Sequence, residues 1–317
     1  MEASAIRVGV NLLTCNLVQC PLHVQAARYA IDSLLDSDLQ RFDWRLVIVD
    51  NGSTCPETVQ MLQDLERTND RVLVEWMEEN IGIARGRNVG YQRLAEWHAP
   101  HYVVEVHTDH VFPAAIDALG DLGWLAPILE YMEAPGNERS GIVGPALLTG
   151  GGQWYSPRPT IPYRVSETRL QEYPDFRREV TKWARAWRQI GRVAPGLSHP
   201  AVKRWAMIEE IGIHRDGLLY AYDPDMPGRQ NFEDTEEAFR AYKAGWELLI
   251  HFGSVVFHHY HFTRMVLSDH GADYDANSLH SQRKHGPEFI DFATRILGGW
   301  MDMAYRSARG STARWRV

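Results

Sequence analysis

The chain has 317 residues, which suits one large α/β domain or two small ones, and 44% of them are hydrophobic, enough for a sizeable core. Asp and Glu outnumber Lys and Arg by 41 to 33, and the net charge of -8 argues against bulk nucleic-acid binding, which needs a positive surface to displace counterions. No apolar run approaches the roughly 18 residues of a membrane span. The N-terminus, MEASAIRVGVNLL, has an acid at position 2 and no basic n-region, so it reads as a buried strand and not as a secretory signal. Cys15, Cys20 and Cys55 are an odd, small set without C-x-x-C spacing. They read as reduced, structural thiols in a cytoplasmic protein.

In chain order, residues 6–13 (IRVGVNLL) read as a strand. A helix follows over 23–35, with Val24, Ala27, Ile31 and Leu34 on one face. Residues 45–49 (RLVIV) form a continuous apolar run, the pattern of a strand covered on both sides. In the DNGSTCPE stretch after it, Thr54 and Glu57 have capping-box spacing, and Pro56 suits a first helical turn. Val59, Leu62 and Leu65 extend that helix. Residues 72–76 read as a third strand, 83–97 as a third helix and 102–106 (YVVEV) as a fourth strand.

Such alternation predicts a parallel sheet with helices on both faces. Ligands of these sheets sit beyond the carboxyl ends of the strands. The residues to watch are therefore Thr14, Cys15 and Asn16, then Asp50, Asn51 and Gly52, then His107, Thr108 and Asp109. The second half is less regular. Residues 150–175 are rich in Gly, Pro and Tyr and read as loops. Residues 176–190 are amphipathic, with Phe176, Val180, Trp183, Trp187 and Ile190 on one face and five basic residues around it. A helix over 234–245 ends at Gly245, strand-like stretches cover 247–251 and 254–257, Gly141 to Pro145 fits a strand and turn, and 288–308 is helical.

Four segments in this order resemble family 2 glycosyltransferases: LVIVDNGST at 46–54, ENIGIARGRNVGYQRL at 79–94, VVEVHTDHVFP at 103–113, and NFEDTEEAFRAYKAGWELLIHFGSVVFHHYH at 231–261. Each motif is weak alone, and the ordered set, covering about residues 6–261, carries the resemblance. It implies a GT-A-like (Rossmann-like), mostly parallel sheet flanked by helices in a single catalytic domain. That domain would span residues 1–265, with a nucleotide-binding half at 1–113 and an acceptor half at 114–265, followed by a C-terminal helical extension at 266–317.

The activity implied is sugar transfer from a nucleotide-sugar, UDP-linked by preference, to an acceptor hydroxyl with inversion. Mn²⁺ or Mg²⁺ would neutralise the leaving diphosphate. By the same resemblance, Asp50 contacts the base or ribose and Asp109 is the metal-binding acid of the D-x-D position, whose first acid is replaced here by His107. Asp234 is the general base, with Glu233 the second choice. A metal-ligating histidine falls at His259 or His258. Thr14, Asn16, Asn51, Arg85, Asn88, His107 and Thr108 complete the expected nucleotide-sugar site. Arg85 reads equally well as part of a solvated helix face.

The acceptor is a glycan, a lipid-linked sugar or a small-molecule hydroxyl, shaped by residues 150–215. The Trp183 and Trp187 face reads first as core packing, then as an acceptor platform or a peripheral membrane contact. Phe289, Phe292, Ile296 and Trp300 read as packing or as a homodimer contact.

Two other classes stay open. One is a degenerate transferase that binds nucleotide or sugar without turnover, for which His107 is the direct support. The other is a zinc-dependent hydrolase using Glu105, His107, Asp109 and His110 in an H-x-H-x-D-H-like arrangement. A nucleotidyltransferase would be expected to show a Gly-rich basic loop after strand one, and NLLTCNLVQC has none.

Overall fold

The computed structural model describes residues 6–16, 21–112, 124–149, 202–204, 212–215, 222–229, 232–258 and 270–295. The elements run β1 (Arg7–Thr14), α1 (Pro21–Leu35), a 3-10 turn (Asp38–Arg41), β2 (Asp43–Asn51), α2 (Pro56–Thr68), β3 (Val72–Met77), α3 (Ile83–Trp97), β4 (Tyr102–His107), β5 (His110–Val111) and α4 (Ala126–Glu133). They continue with β6 (Ser140–Thr149), β7 (Val202–Arg204), β8 (Ile213–Arg215), α5 (Glu233–Lys243), β9 (Glu247–His258), α6 (His270–His285) and α7 (Pro287–Arg295). The amphipathic 176–190 stretch, the loops of 150–175, His259, Ile296 and Trp300 lie outside the described residues.

Among the described residues, one sheet takes all nine strands, in the order β3-β2-β1-β4-β8-β6-β9-β5, with β7 also on β9. The first four are parallel, as their apolar runs and intervening helices predict. β8 then pairs antiparallel with both β4 and β6. The expected α/β class, a mostly parallel sheet between helices, is the one that forms.

Alternation along the strands divides the core in two. Val8, Val10, Leu12, Leu46, Ile48, Val104 and Val106 face Ile31, Leu34, Leu62, Ile128 and Leu129 of α1, α2 and α4. Val47, Val49 and Val103 face Ala84, Tyr91 and Leu94 of α3. Further along the sheet, α5 and α7 pack Phe239, Phe289 and Phe292 against Ile142 and Leu248.

Helix α3 lies close on β1 because of its glycines. A Cβ on Gly90 would fall 2.1 Å from Oδ1 of Asn11, and one on Gly86 would fall 2.6 Å from Leu13. That closeness lets the buried Arg87 guanidinium donate to the carbonyls of Asn11 (2.5 Å) and Val106 (2.8 Å). The Asn11 amide returns a bond to the Arg87 carbonyl at 2.9 Å. One side chain thus ties α3 to the two adjacent strands β1 and β4.

Two local expectations are corrected. The capping box does not form: the N-cap of α2 is Cys55, whose thiol donates to Glu57, while the Thr54 N–H is taken by the Asn16 carbonyl at 3.0 Å. The two strands expected at 247–251 and 254–257 are one strand, β9. The register along β6 jumps from Pro145↔His251 to Ala146↔Val255, so the intervening residues bulge out. Pro145, which has no N–H to give the ladder, sits at that irregularity in the middle of β6.

Gly90→Ala is expected to destabilise the chain by about 1–3 kcal/mol, the cost of forcing a methyl into a filled site. Urea unfolding checks this, and an unchanged midpoint would show that α3 can lift from β1 freely.

Candidate functional site

The strand order places β1 beside β4, with β2 and β3 beyond β1 and the antiparallel β8 beyond β4. The order reverses direction at β1/β4, and a crevice opens at such a point beyond the carboxyl ends. Thr14 and His107 end the two strands, and Asp50 is the register partner of Thr14 on β2. Asp50 is only 2% exposed, and burial pushes its carboxyl above the ordinary range against hydrogen bonds from Ser53. Its Oδ1 and the Oγ1 of Thr14 are buried and meet no hydrogen-bond partner among the described residues. An orphaned buried oxygen costs about 1–3 kcal/mol, and two on adjacent strand ends form a ready place for a ligand's N–H or hydroxyl.

Asn16 and Asn51 are hydrogen-bonded within the protein. The Asn16 amide donates to Thr58 at 2.9 Å and its N–H to Ser53 at 2.8 Å, fastening the end of β1 to α2. The Asn51 amide donates to Asn80 and Gly82, and its oxygen accepts from Ile81 at 2.9 Å. That clasp is close because Gly52 has φ +79°, and a Cβ there would lie 2.6 Å from the Glu79 carbonyl carbon. Arg85 and Asn88 both reach the segment 222–229, donating to the carbonyls of Pro224 (3.0 Å) and Tyr222 (2.8 Å). The Ile83 N–H bonds the Arg229 carbonyl of the same segment at 2.7 Å.

His107, Thr108 and Asp109 are half-buried at the turn between β4 and β5. The His107 N–H donates to Nδ1 of the buried His110, at 3.1 Å. Strand β5 pairs antiparallel with β9, His110 opposite His258. The backbone of His258 is therefore brought alongside the Asp109 turn, and His259 follows outside the described residues. A carboxylate and an imidazole together are a donor set that Mn²⁺ accepts.

Glu233 and Asp234 open α5, where negative charge is favoured by the helix dipole. The residue before them, Phe232, has φ 75°, a left-handed conformation that costs a non-glycine of order 1–3 kcal/mol. The Asp234 Oδ1 accepts from the Thr235 N–H at 2.6 Å. Glu236, in the same turn, is fully buried and structural: it receives Arg240, Lys284 and His285. Lys284 and His280 of α6 also bond Asp223, each at 2.8 Å. Helix α6 is thus tied to α5 and to the 222–229 segment by charge.

Glu105, His107, Asp109 and His110 do not gather as a ligand group among the described residues. Glu105 lies on the α3 side of β4, its carboxylate held by the hydroxyls of Tyr91 and, at 2.5 Å, Tyr222, and the His110 Nδ1 is occupied by the backbone. Among the described residues, the cluster of ligand-type side chains is a different one: Glu105, His214 and Glu237 offer atoms within 4.8 Å of one another. The sequence reading missed Arg87, His214 and Glu237. A glutamate in the apolar run YVVEV was a signal that buried partners existed, but apart from Tyr91 those partners, Tyr222 and His214, lie more than a hundred residues away.

Residues 24–178 match the family model for glycosyl transferase family 2. No curated protein matches the chain in sequence. Among solved structures, it is similar to GalNAc-T7 with UDP, GalNAc and Mn²⁺, at TM-score 0.60 and 14% identity over 98% of this chain, and it spans about half (52%) of that protein. It is also similar to the mannosyltransferase PcManGT of Pyrobaculum calidifontis with GDP-Man and Mn²⁺, at TM-score 0.52 and 14% identity over 99% of this chain and 79% of that one. A third is TarS 1-349 of S. aureus, at TM-score 0.50 and 14% identity over 93% of this chain and 74% of that one. At this identity the likeness shows the fold, that of GT-A transferases.

Burial alone would raise the Asp223 carboxyl, but Lys284, His280 and the Asp225 N–H outweigh it and hold its pKa at about 2. A depressed carboxylate stabilises the fold above its unfolded pKa of 3.8, and that contribution disappears as pH falls through about 2. Between pH 4 and pH 2, denaturant titration is expected to show wild type losing about 2 kcal/mol more than Asp223→Asn. Equal losses would mean that α6 is not held by this carboxylate.

Proposed function

We propose that this chain, whose residues 24–178 match the family model for glycosyl transferase family 2, moves a sugar from a nucleoside diphosphate donor to an acceptor hydroxyl with inversion. The observation that carries the reading is the pair of buried oxygens on Thr14 and Asp50 that meet no partner among the described residues, at the carboxyl end of a sheet of this fold. Asp50 accepts an N–H from the base, and Thr14 bonds the nucleoside beside it. Uracil, like thymine, presents one imide N–H to a single carboxylate oxygen, an arrangement that suits a UDP-sugar. Asn16 and Asn51, whose amides are engaged within the protein, shape the walls of the pocket. Arg85 and Asn88 hold the 222–229 segment over the start of α3.

Asp109, with His258 or His259, would hold Mn²⁺ or Mg²⁺, which neutralises charge on the departing diphosphate. The antiparallel register of β5 on β9 supports this grouping, and the two similar structures that hold Mn²⁺ are consistent with it. His107, in place of the usual first acid, and Thr108 border the ribose.

Asp234 takes the proton from the acceptor hydroxyl as its oxygen bonds the anomeric carbon. The bond from that carbon to the diphosphate oxygen breaks, and the nucleoside diphosphate leaves. Glu233 is the second candidate for the base. The acceptor, a glycan, a lipid-linked sugar or a small alcohol, is expected to meet residues 150–215. The reduced-thiol composition supports a cytoplasmic setting. No helix among the described residues is long and apolar enough to cross a membrane.

Calorimetric titration of UDP, GDP and dTDP, each with Mn²⁺ and with EDTA, tests the reading. One nucleotide is expected to bind in a metal-dependent way, and Asp50→Asn is expected to weaken it about tenfold, the loss of one charge-assisted hydrogen bond. Asp234→Asn is expected to keep that binding and lose turnover. Binding of no nucleotide would refute the donor site, and turnover unchanged in Asp234→Asn would refute the base.

A further inference from the structure

Under the sheet, between α3 and α5, lies a group of ionisable residues that the transfer mechanism does not use. Glu105 is on β4, His214 on the three-residue strand β8, and Glu237 on α5. All three are buried, with His214 only 2% exposed. The two ring nitrogens of His214 face different acids: Nδ1 is 3.4 Å from Glu237 Oε1, and Nε2 is 3.7 Å from Glu105 Oε2. The imidazole therefore stands between the carboxylates. A metal would need all three to converge on one point, and this ring orientation opposes that. Glu237 Oε1 and His214 Nδ1 have no other partner among the described residues.

Charge balances within the group. With both carboxyls ionised, a state that burial of Glu237 opposes and the facing His214 favours, the group holds two negative charges, and Arg87 nearby supplies one positive, fixed to backbone carbonyls. A protonated His214 supplies the other. Tyr91 and Tyr222 are neutral donors to Glu105, their hydroxyls kept protonated by burial and by that carboxylate. Burial disfavours the charged imidazole, but Glu237 and Glu105 more than offset it, and the pKa of His214 is raised.

The placement is what gives this group a role. Glu237 lies three residues after Asp234, one turn along the same face of α5. Glu105 lies two residues before His107 on one face of β4. We propose that His214 is a positioning residue: as a charged bridge between Glu237 and Glu105, it sets the helix that carries Asp234 against the strand that leads to Asp109. This rests on the reading of Asp234 as the base.

The test uses the full chain and three measurements. The ¹⁵N spectrum of His214 at pH 7 is expected to show both ring nitrogens protonated, and a neutral ring would overturn the bridge. The double variant His214→Leu/Glu237→Leu replaces the ion pair with apolar bulk, which a fold tolerates well, so its thermal midpoint is expected not to fall. Turnover is read as UDP released from whichever of UDP-glucose, UDP-galactose and UDP-N-acetylglucosamine the wild type uses fastest. In the double variant kcat is expected to drop at least about tenfold while UDP affinity with Mn²⁺ stays within about twofold, the signature of an interaction needed only for the chemical step. Full turnover in the folded double variant, with turnover lost in Asp234→Asn, would overturn the positioning role and leave the transfer reading standing. Equal turnover in Asp234→Asn and wild type would overturn the transfer reading instead, and the ring spectrum would still decide whether the bridge exists.

Discussion

The guanidinium of Arg87 lies beneath the sheet where β1 meets β4, 1% exposed, and bonds a carbonyl on each strand. A buried cation is expensive unless it is hydrogen-bonded, and here a backbone oxygen from each of the two adjacent strands accepts from it. The carboxyl ends of the same two strands bound the candidate crevice. What fixes α3 to the sheet therefore also fixes the spacing between Thr14 and the His107–Asp109 turn. Gly86 and Gly90 are conditions of that arrangement, because a methyl on either would push α3 away from β1.

From this joint the rest of the site can be followed outward. Helix α3 holds the 222–229 segment through Ile83, Arg85 and Asn88. That segment is held on its other side by α6, through Lys284, His280 and Asn277. Helix α6 reaches back to Glu236 of α5, beside Asp234. The strained backbone of Phe232 sits where this ring of contacts closes, at the entry to α5. Strain of this kind persists only where surrounding structure over-determines it. Both faces of the candidate base helix are engaged, one by α6 and one by the His214 cluster.

Much of the nucleotide half was legible because its signals are local. Continuous apolar runs marked β2 and β4, and the 83–97 helix has the bounds expected of it. The acid that ends the RLVIVD run lies at a strand end, as the pattern implied. Where partners come from afar, local rules misled. Thr54 has the spacing of a cap, but the chain leaving β1 supplies Asn16 in its place. Nothing local shows, either, that the side chains of Asn16 and Asn51 bond Thr58 and the 80–82 turn. One continuous β9 looked like two strands because residues that bulge from a sheet break its alternation. The His214 cluster assembles one residue from each of three distant elements, so no window of sequence contains it.

The central claim is that a nucleoside diphosphate lies across the carboxyl ends of β2, β1 and β4. A crystal structure of the chain with the nucleotide it binds and Mn²⁺ tests this most directly. The account predicts the base within hydrogen-bonding distance of Asp50 Oδ1 and Thr14 Oγ1, and the metal between the diphosphate and Asp109. A nucleotide bound elsewhere, with those two oxygens still unpartnered, would contradict it.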